Sequence, residues 1–167
     1  IPRIASNVEQ ISASFGGQIL EGSDDYHAFP TVPDLAKVSD AGFRRLGLGY
    51  RSKFLARLGS YIMGRRLDLM QLRTLPYLDA KAELLNIFGV GEKVADCVLA
   101  FSLGKLEAFP IDVHVRRNLL DWYFPGVKMT DRELRVWAFK YFGQFGGYVQ
   151  QYLFHGQRLG GGGTKVR

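Results

Sequence analysis

The sequence has 167 residues, enough for one sizeable core or two small lobes, and its 47% apolar and 23% charged residues exclude a disordered chain. The net charge of +6 predicts an acidic partner, with nucleic acid first and an anionic membrane surface second. Cys97 is the only cysteine, which excludes an intrachain disulfide and any zinc or iron–sulfur site built from clustered cysteines.

The first half of the chain is predicted to consist of short helices joined by turns. It opens with Ile1-Pro2-Arg3, which does not resemble a signal peptide and indicates a processed, truncated or excised chain. Apolar spacing and capping residues predict helices over residues 4–15, 33–36, 41–46, 52–63 and 67–75, with a loop over residues 24–30. Between two of these helices, Gly47-Leu48-Gly49-Tyr50-Arg51 is a glycine-flanked turn.

The second half follows the same pattern. Residues 76–86 lead into a central stretch, residues 84–120, in which a short apolar helix precedes the turn Gly89-Val90-Gly91 and a second helix begins near Glu92. Further helices are predicted over residues 114–122, over residues 131–142 behind a capping box, and over residues 148–155 after a glycine-rich bend. Residues 160–167 form a flexible tail by composition. No strand alternation persists, so we expect an all-α fold with nine or ten helices.

The turn Gly89-Val90-Gly91 is the first feature that indicates chemistry. Glycine permits a tight approach of two helices, and it leaves backbone N–H groups bare where the second helix begins. Those donors and the helix dipole favour an anion, and a phosphate in particular.

The segment that follows this turn contains four candidate catalytic residues. Lys93 is a surface cation or, because the positive end of the helix disfavours its ammonium form, a nucleophilic amine. Cys97 lies one helical turn further on and is a small buried residue or a partner of Lys93. Asp112 is an N-cap, which is compatible with stabilising positive charge on a sugar. His114 is a core residue, a phosphate contact or an orienting group.

The strings Gly89-Val90-Gly91-Glu92-Lys93-Val94-Ala95-Asp96-Cys97 and Pro110-Ile111-Asp112-Val113-His114 resemble the helix-hairpin-helix and Gly/Pro/Asp signature of base-excision DNA glycosylases. Together with the Gly47–Arg51 turn, they are most similar to the 8-oxoguanine DNA glycosylase/AP lyases. The resemblance runs over residues 4–157. It implies a helix-hairpin-helix glycosylase fold in residues 1–159, with an active-site cleft between two lobes. Lobe one would span about 4–110, and lobe two, about 111–157, would pack with the N-terminal helix.

The resemblance also implies site residues for catalysis and for the base pocket. Lys93 would form a Schiff base with C1′ of the damaged nucleotide, and Asp112 would support the oxocarbenium-like sugar. Cys97 would lie against Lys93. Phe154 would stack on the flipped base and Gln150 would read its Watson–Crick edge, although taken alone the first indicates a core residue and the second a surface residue.

Further residues are implied as DNA contacts. Tyr50 and Arg51 would fill the gap and bond the orphaned cytosine, although alone they indicate a half-buried turn residue and a solvated charge. His114 would contact phosphate. Gly89, Val90 and Gly91 would hold phosphate through backbone N–H groups, with a monovalent cation as an optional ligand; no other cofactor and no metal site is expected.

The resulting hypothesis is a bifunctional glycosylase/AP lyase that removes 8-oxoguanine from double-stranded DNA. We expect an intracellular monomer that works with DNA, in the nucleus of a eukaryote or the cytoplasm and nucleoid of a prokaryote, and that does not bind membranes. The alternatives are a glycosylase for another lesion and a non-catalytic helix-hairpin-helix DNA-binding module. Longer members of the family begin with a β-sheet lobe, which we expect to be absent from this chain and to be truncated or carried elsewhere.

Overall fold

The structure is a computed structural model that describes residues 2–21, 24–65 and 68–158. Its described part is mainly helical, with one pair of strands, so the predicted all-α class is confirmed apart from that pair. The α-helices are α1 (Pro2–Phe15), α2 (Val32–Ala36), α3 (Asp40–Arg45), α4 (Ser52–Arg65), α5 (Tyr77–Leu85), α6 (Glu92–Phe101), α7 (Val113–Tyr123), α8 (Asp131–Phe142) and α9 (Gly146–Arg158). The strands are β1 (Gln18–Glu21) and β2 (Asp24–His27), and short 3-10 helices span Gly49–Arg51, Gln71–Arg73 and Gly143–Phe145.

The strand pair corrects the loop predicted over residues 24–30. β1 and β2 are antiparallel, with Gln18 opposite His27, and Ala28 N continues the ladder by donating to Gly17 O at 2.9 Å. Strands of four residues are too short for an alternating pattern to be recognised in the sequence.

The helix predicted over residues 67–75 is also wrong. Among the described residues of this segment, only Gln71–Arg73 is helical, as a single 3-10 turn. The Thr74 hydroxyl donates to Gln71 O at 2.8 Å, and Pro76 disfavours helical geometry at Leu75. Both effects stop the helix that the apolar spacing alone indicates.

The chain divides into two compact units, Ile1–Asp68 with Ile87–Gly89 and Leu69–Asn86 with Val90–Arg167. The predicted lobes, with a boundary near residue 110, do not coincide with these units and stay a prediction. The predicted flexible tail over residues 160–167 lies outside the described residues.

The first unit is built around Phe43, which is completely buried. Ile11 and Leu48 complete this core, and the ring of Phe15 meets Phe43 edge to face at 5.6 Å. Helices α2 and α4 pack closely, because a Cβ at Gly59 would lie 2.6 Å from Ala36 N.

The second unit has its core among α7, α8 and α9. The buried members are Phe109, Ile111, Val115, Leu119, Leu134, Ala138 and Leu153. Asn118, on α7, donates through Nδ2 to Leu153 O on α9 at 2.7 Å, which satisfies a buried amide and joins the two helices. Both tryptophans belong to this unit, and Trp137 stacks on Tyr141 with ring centroids 4.7 Å apart.

The start of α9 differs from the prediction. The helix begins at Gly146 and not near Tyr148, because Gly146 and Gly147 bring it against the loop between α6 and α7. A Cβ at Gly147 would lie 3.1 Å from Leu106 O, and Gly147 N donates to that same oxygen at 2.6 Å. The glycines therefore serve a close approach of helix and loop.

Within the described part of the chain, no helix combines the length and the apolar character needed to cross a bilayer.

Candidate catalytic residues and DNA-contacting turns

The segment between α5 and α6 forms the predicted hairpin turn. Gly89 has φ 90°, and a Cβ there would lie 2.5 Å from the ring of Phe54. Gly91 is the N-cap of α6 and has no side chain to accept from the first amides of the helix. These backbone N–H groups lack intrahelical acceptors, which makes the turn suitable for an anion.

Lys93 and Cys97 lie one turn apart on α6. Lys93 is exposed and Cys97 is half-buried. Burial raises the pKa of the Cys97 thiol, and the charge of Lys93 and a hydrogen bond with it oppose that rise. Cys97 is therefore a neutral thiol near pH 7, and its interaction with Lys93 is that of a thiol and not of a thiolate.

Asp112 is the N-cap of α7, as its residue type predicted. Its Oδ1 accepts from His114 N at 3.0 Å and from Val115 N at 2.8 Å, so two amides hold the carboxylate in one orientation. Its charge also contributes to the raised pKa of Cys97. The structure thus places Lys93, Cys97 and Asp112 in one electrostatic neighbourhood of the second unit.

The predicted base-pocket residues on α9 are partly brought together. His114 on α7 meets the ring of Phe154 edge to face, with centroids 6.2 Å apart. A surface cleft of about 450 Å³ lies beside Phe154 and is lined by Tyr148, Gln151, Tyr152, Phe154 and His155. Gln150 does not line this cleft.

Gln150 is buried, with 4% of its surface exposed, whereas its residue type alone indicates a surface position. Its Oε1 accepts from Gln151 Nε2 at 2.7 Å.

Tyr50 and Arg51 belong to the first unit. They lie in the 3-10 turn after Gly47 and Gly49, which have φ of 74° and 58°. The side chain of Tyr50 is 61% exposed, and the Arg51 guanidinium lies 4.6 Å from its ring centroid. An exposed aromatic ring with a stacked arginine is a suitable surface for contacting bases.

A buried charged cluster behind the first turn of α6 was missed in the sequence. Lys81 Nζ lies 2.7 Å from Glu92 Oε2 and 2.9 Å from Asp96 Oδ1, and Tyr77 OH donates to Asp96 Oδ1 at 2.8 Å. Arg135 Nε lies 3.6 Å from the same oxygen of Glu92. The available signal was weak, because α5 and α6 carry other charged residues that are exposed, and the sequence does not distinguish them from the buried Lys81 and Asp96.

The pKa values in this cluster follow from burial and pairing. Burial, followed by the Asp96 carboxylate, raises the pKa of Tyr77 to about 12. Burial lowers the pKa of Lys81, but hydrogen bonds with Glu92 and Asp96 outweigh it and raise the pKa overall. The bond from Lys81 lowers the pKa of Glu92, and burial raises the pKa of Asp96. Among the described residues, no group of three or more His, Cys, Asp or Glu side chains could hold a metal ion.

Comparison with known proteins supports the resemblance inferred from the motifs, although no family model matches the chain. A "Probable N-glycosylase/DNA lyase" of Methanothermobacter thermautotrophicus is 32% identical, and the alignment covers 96% of this chain and 57% of that protein. A Clostridium acetobutylicum 8-oxoguanine glycosylase/lyase, solved with DNA containing cytosine opposite 8-oxoG, superposes with a TM-score of 0.90 at 31% identity. That match covers 95% of this chain and 55% of the solved one.

A second structure, a 3-methyladenine DNA-glycosylase from Archaeoglobus fulgidus, gives a TM-score of 0.76 at 26% identity, and the match covers 95% of this chain and 53% of that one. The predicted helix-hairpin-helix DNA glycosylase fold and the predicted resemblance are therefore confirmed. The chain spans just over half the length of these relatives.

Proposed function

We propose that this chain is the helical part of a bifunctional DNA glycosylase/AP lyase that removes 8-oxoguanine from double-stranded DNA. The observation that carries the proposal is the placement of Lys93 and Cys97 one turn apart on α6, directly after the hairpin turn, where the charges of Lys93 and Asp112 both act on the Cys97 thiol. The names of the similar proteins point to the same reaction. A non-catalytic DNA-binding module would have no use for this group of side chains.

In the proposed reaction, the neutral Lys93 amine attacks C1′ of the damaged nucleotide. The glycosidic bond breaks, its electron pair leaves with the base, and the base takes up a proton. The sugar ring then opens: the nitrogen lone pair forms the C1′=N bond, the C1′–O4′ bond breaks and O4′ takes up a proton, which gives a protonated Schiff base. Its positive charge allows removal of a proton from C2′ and elimination of the 3′ phosphate. The held carboxylate of Asp112 stabilises the positive charge that develops on the sugar.

Base recognition requires the damaged nucleotide to leave the duplex, because its reacting bond is inaccessible in the stack. Phe154 would stack on the extruded base and Gln150 would read its edge. Tyr50 would fill the vacated space while Arg51 bonds the orphaned cytosine. The exposure of Tyr50 and the cleft beside Phe154 support the assignments of these two residues.

Phosphate contacts are proposed for the hairpin turn and for His114. The backbone N–H groups that follow Gly89, Val90 and Gly91 would bind the DNA backbone, with a monovalent cation as an optional bridging ligand. No other cofactor is needed for amine catalysis. The protein would act as a monomer inside the cell, wherever its DNA is.

One observation favours a second candidate. The fold match to a 3-methyladenine glycosylase means that the same scaffold is compatible with another damaged base. The lesion must therefore be tested directly, and not assumed from the fold.

The test is borohydride trapping on duplexes that carry 8-oxoguanine opposite cytosine, 3-methyladenine, an abasic site or no lesion. We expect a covalent adduct with the 8-oxoguanine duplex that is lost in Lys93→Gln and kept in Lys140→Gln, an exposed helical lysine that serves as the matched control. An adduct on the 3-methyladenine duplex alone would assign the other lesion. Normal cleavage by Lys93→Gln would overturn the mechanism, and DNA binding without any adduct would indicate the non-catalytic module.

A further inference from the structure

The first turn of α6 is attached to α5 through Lys81. This lysine is 9% exposed, and it contacts Glu92 and Asp96 on α6 at 2.7 and 2.9 Å. Asp96 has no exposed surface, so its carboxylate depends on Lys81 and on the Tyr77 hydroxyl for its hydrogen bonds.

The two acidic residues alternate with the proposed catalytic pair. Glu92 and Asp96 are four residues apart and share one face of α6, while Lys93 and Cys97 are four residues apart on the adjacent face. Because both pairs belong to one regular helix, contacts that fix the rotation of the first pair also fix the direction of the second.

Glu92 would be an ordinary solvated residue without this arrangement. Its side chain is 45% exposed, yet it contacts Lys81 and also lies 3.6 Å from Arg135 on α8. The hairpin provides no comparable anchor, because the N-cap residue Gly91 makes no side-chain bond to the helix. Glu92 therefore ties the first turn of α6 to α5 and to α8 through its two ion pairs, in addition to the contacts of Asp96 one turn further on.

We propose that Lys81 and Glu92 are positioning residues, which fix the first turn of α6 so that Lys93 is held against Cys97 and directed at the sugar. The proposal rests on the proposed function, because it takes Lys93 as the nucleophile. Buried ion pairs contribute little net stability compared with apolar packing, and their most evident effect is to define geometry. A small displacement of a reacting group is enough to slow a reaction strongly.

The test compares Glu92→Gln with Glu133→Gln. Each removes one negative charge from the first turn of a helix in the second unit, and glutamine preserves the capping box that Glu133 forms with Thr130. Three quantities are measured for each variant. They are the single-turnover rate of borohydride trapping on an abasic duplex, the Kd for that duplex, and the pH midpoint for alkylation of Cys97, the only cysteine.

For Glu92→Gln, we expect the trapping rate to fall about tenfold at unchanged Kd, and the Cys97 midpoint to move to higher pH. The direction in which the Cys97 midpoint moves is informative, because losing the negative charge of Glu92 would by itself stabilise the Cys97 thiolate and lower the midpoint. A rise must come from a weaker contact with Lys93. Glu133→Gln is expected to match the unaltered protein in both measurements.

An unchanged trapping rate, or an unchanged or lowered Cys97 midpoint, in Glu92→Gln would overturn the proposal. If the unaltered protein forms no adduct on any duplex, the proposed function fails, but the Cys97 titration still decides whether Glu92 holds Lys93 in place. Lys81→Met provides a second variant; it leaves Asp96 buried without its cation and is expected to lower Tm as well as to slow trapping at unchanged Kd. A lowered Tm with an unchanged trapping rate would indicate a merely structural role.

Discussion

Gly89 and Gly91 are two residues apart in the hairpin, yet their surroundings differ. Gly89 has a positive φ and lies against the ring of Phe54, whereas Gly91 has φ −99° and no atom within 4 Å of an added Cβ. The sequence pattern gives both glycines the same importance. The structure shows that, of these two positions, only position 89 requires glycine for steric reasons.

Gly89→Ala is therefore expected to lower the free energy of unfolding by about 1–3 kcal/mol, through backbone strain and collision with Phe54. Gly91→Ala, the matched control, is expected to cost less than about 1 kcal/mol, because alanine at an N-cap is only moderately worse than glycine and meets no steric clash there. Urea titrations followed by circular dichroism measure both values. Equal losses in the two variants would contradict this distinction.

The half-buried Tyr77 gives a second prediction for a single residue. Its pKa is 10.0 in the unfolded chain and about 12 in the folded protein, so the stability that it contributes is fully present below pH 10 and is lost as the pH rises towards 12. Because Tyr77 is partly exposed, we expect at most about 2 kcal/mol from this source.

Urea midpoints at pH 9 and pH 11 measure this loss, and Tyr77→Phe is expected to reduce it. Lys81 has a raised pKa as well, so its contribution is lost in the alkaline range too and part of the loss persists in the variant. The same pH dependence in the variant as in the unaltered protein would show that Tyr77 does not titrate as described.

At the scale of elements, local signals were predicted well and distant pairings were not. The capping box of Thr130 and Glu133 and the N-cap Asp112 are recognisable because each involves neighbours within three residues. Lys81 and Asp96 are fifteen positions apart in the sequence and pair only when α5 and α6 pack, so no local sequence pattern indicates the ion pair. The four-residue strands β1 and β2 were not predicted for a different reason, which is their short length.

The core among α7, α8 and α9 can be tested directly. Leu119 is fully buried there, and Leu119→Ala is expected to lower the free energy of unfolding by about 2–5 kcal/mol, through lost burial and a residual cavity. Val127→Ala, at a position that is 53% exposed in the same unit, is the control and should change little. Thermal or urea unfolding gives both values, and a loss below about 1 kcal/mol for Leu119→Ala would place it outside the core.

For the whole molecule, net charge was informative about the kind of partner but not about the residues that contact it. The charge of +6 predicts nucleic acid, and the names of similar proteins agree with that prediction. The sequence alone does not predict the exposure of Tyr50, the burial of Gln150 or the cleft beside Phe154, because aromatic and amide residues occur both in cores and on surfaces.

If phosphate contacts dominate binding, the affinity for an undamaged duplex is expected to fall linearly with salt on a double-logarithmic plot, with a slope of about −0.9 for each phosphate neutralised. Fluorescence anisotropy over a salt series measures the slope. A duplex with an uncharged methylphosphonate backbone is the control and should show little dependence on salt. A flat response with ordinary DNA would contradict the electrostatic basis of the partner assignment.

The distribution of tryptophan in the chain has a practical consequence. Both tryptophans lie in the second unit, and Trp137 is stacked on Tyr141 within an aromatic cluster. Tryptophan fluorescence, excited at the long-wavelength edge of the absorption band, therefore reports on that unit alone, whereas far-ultraviolet circular dichroism records the helices of both units. Coincident transitions in the two signals would show that the units unfold cooperatively, and separate transitions would show that either unit can melt while the other persists.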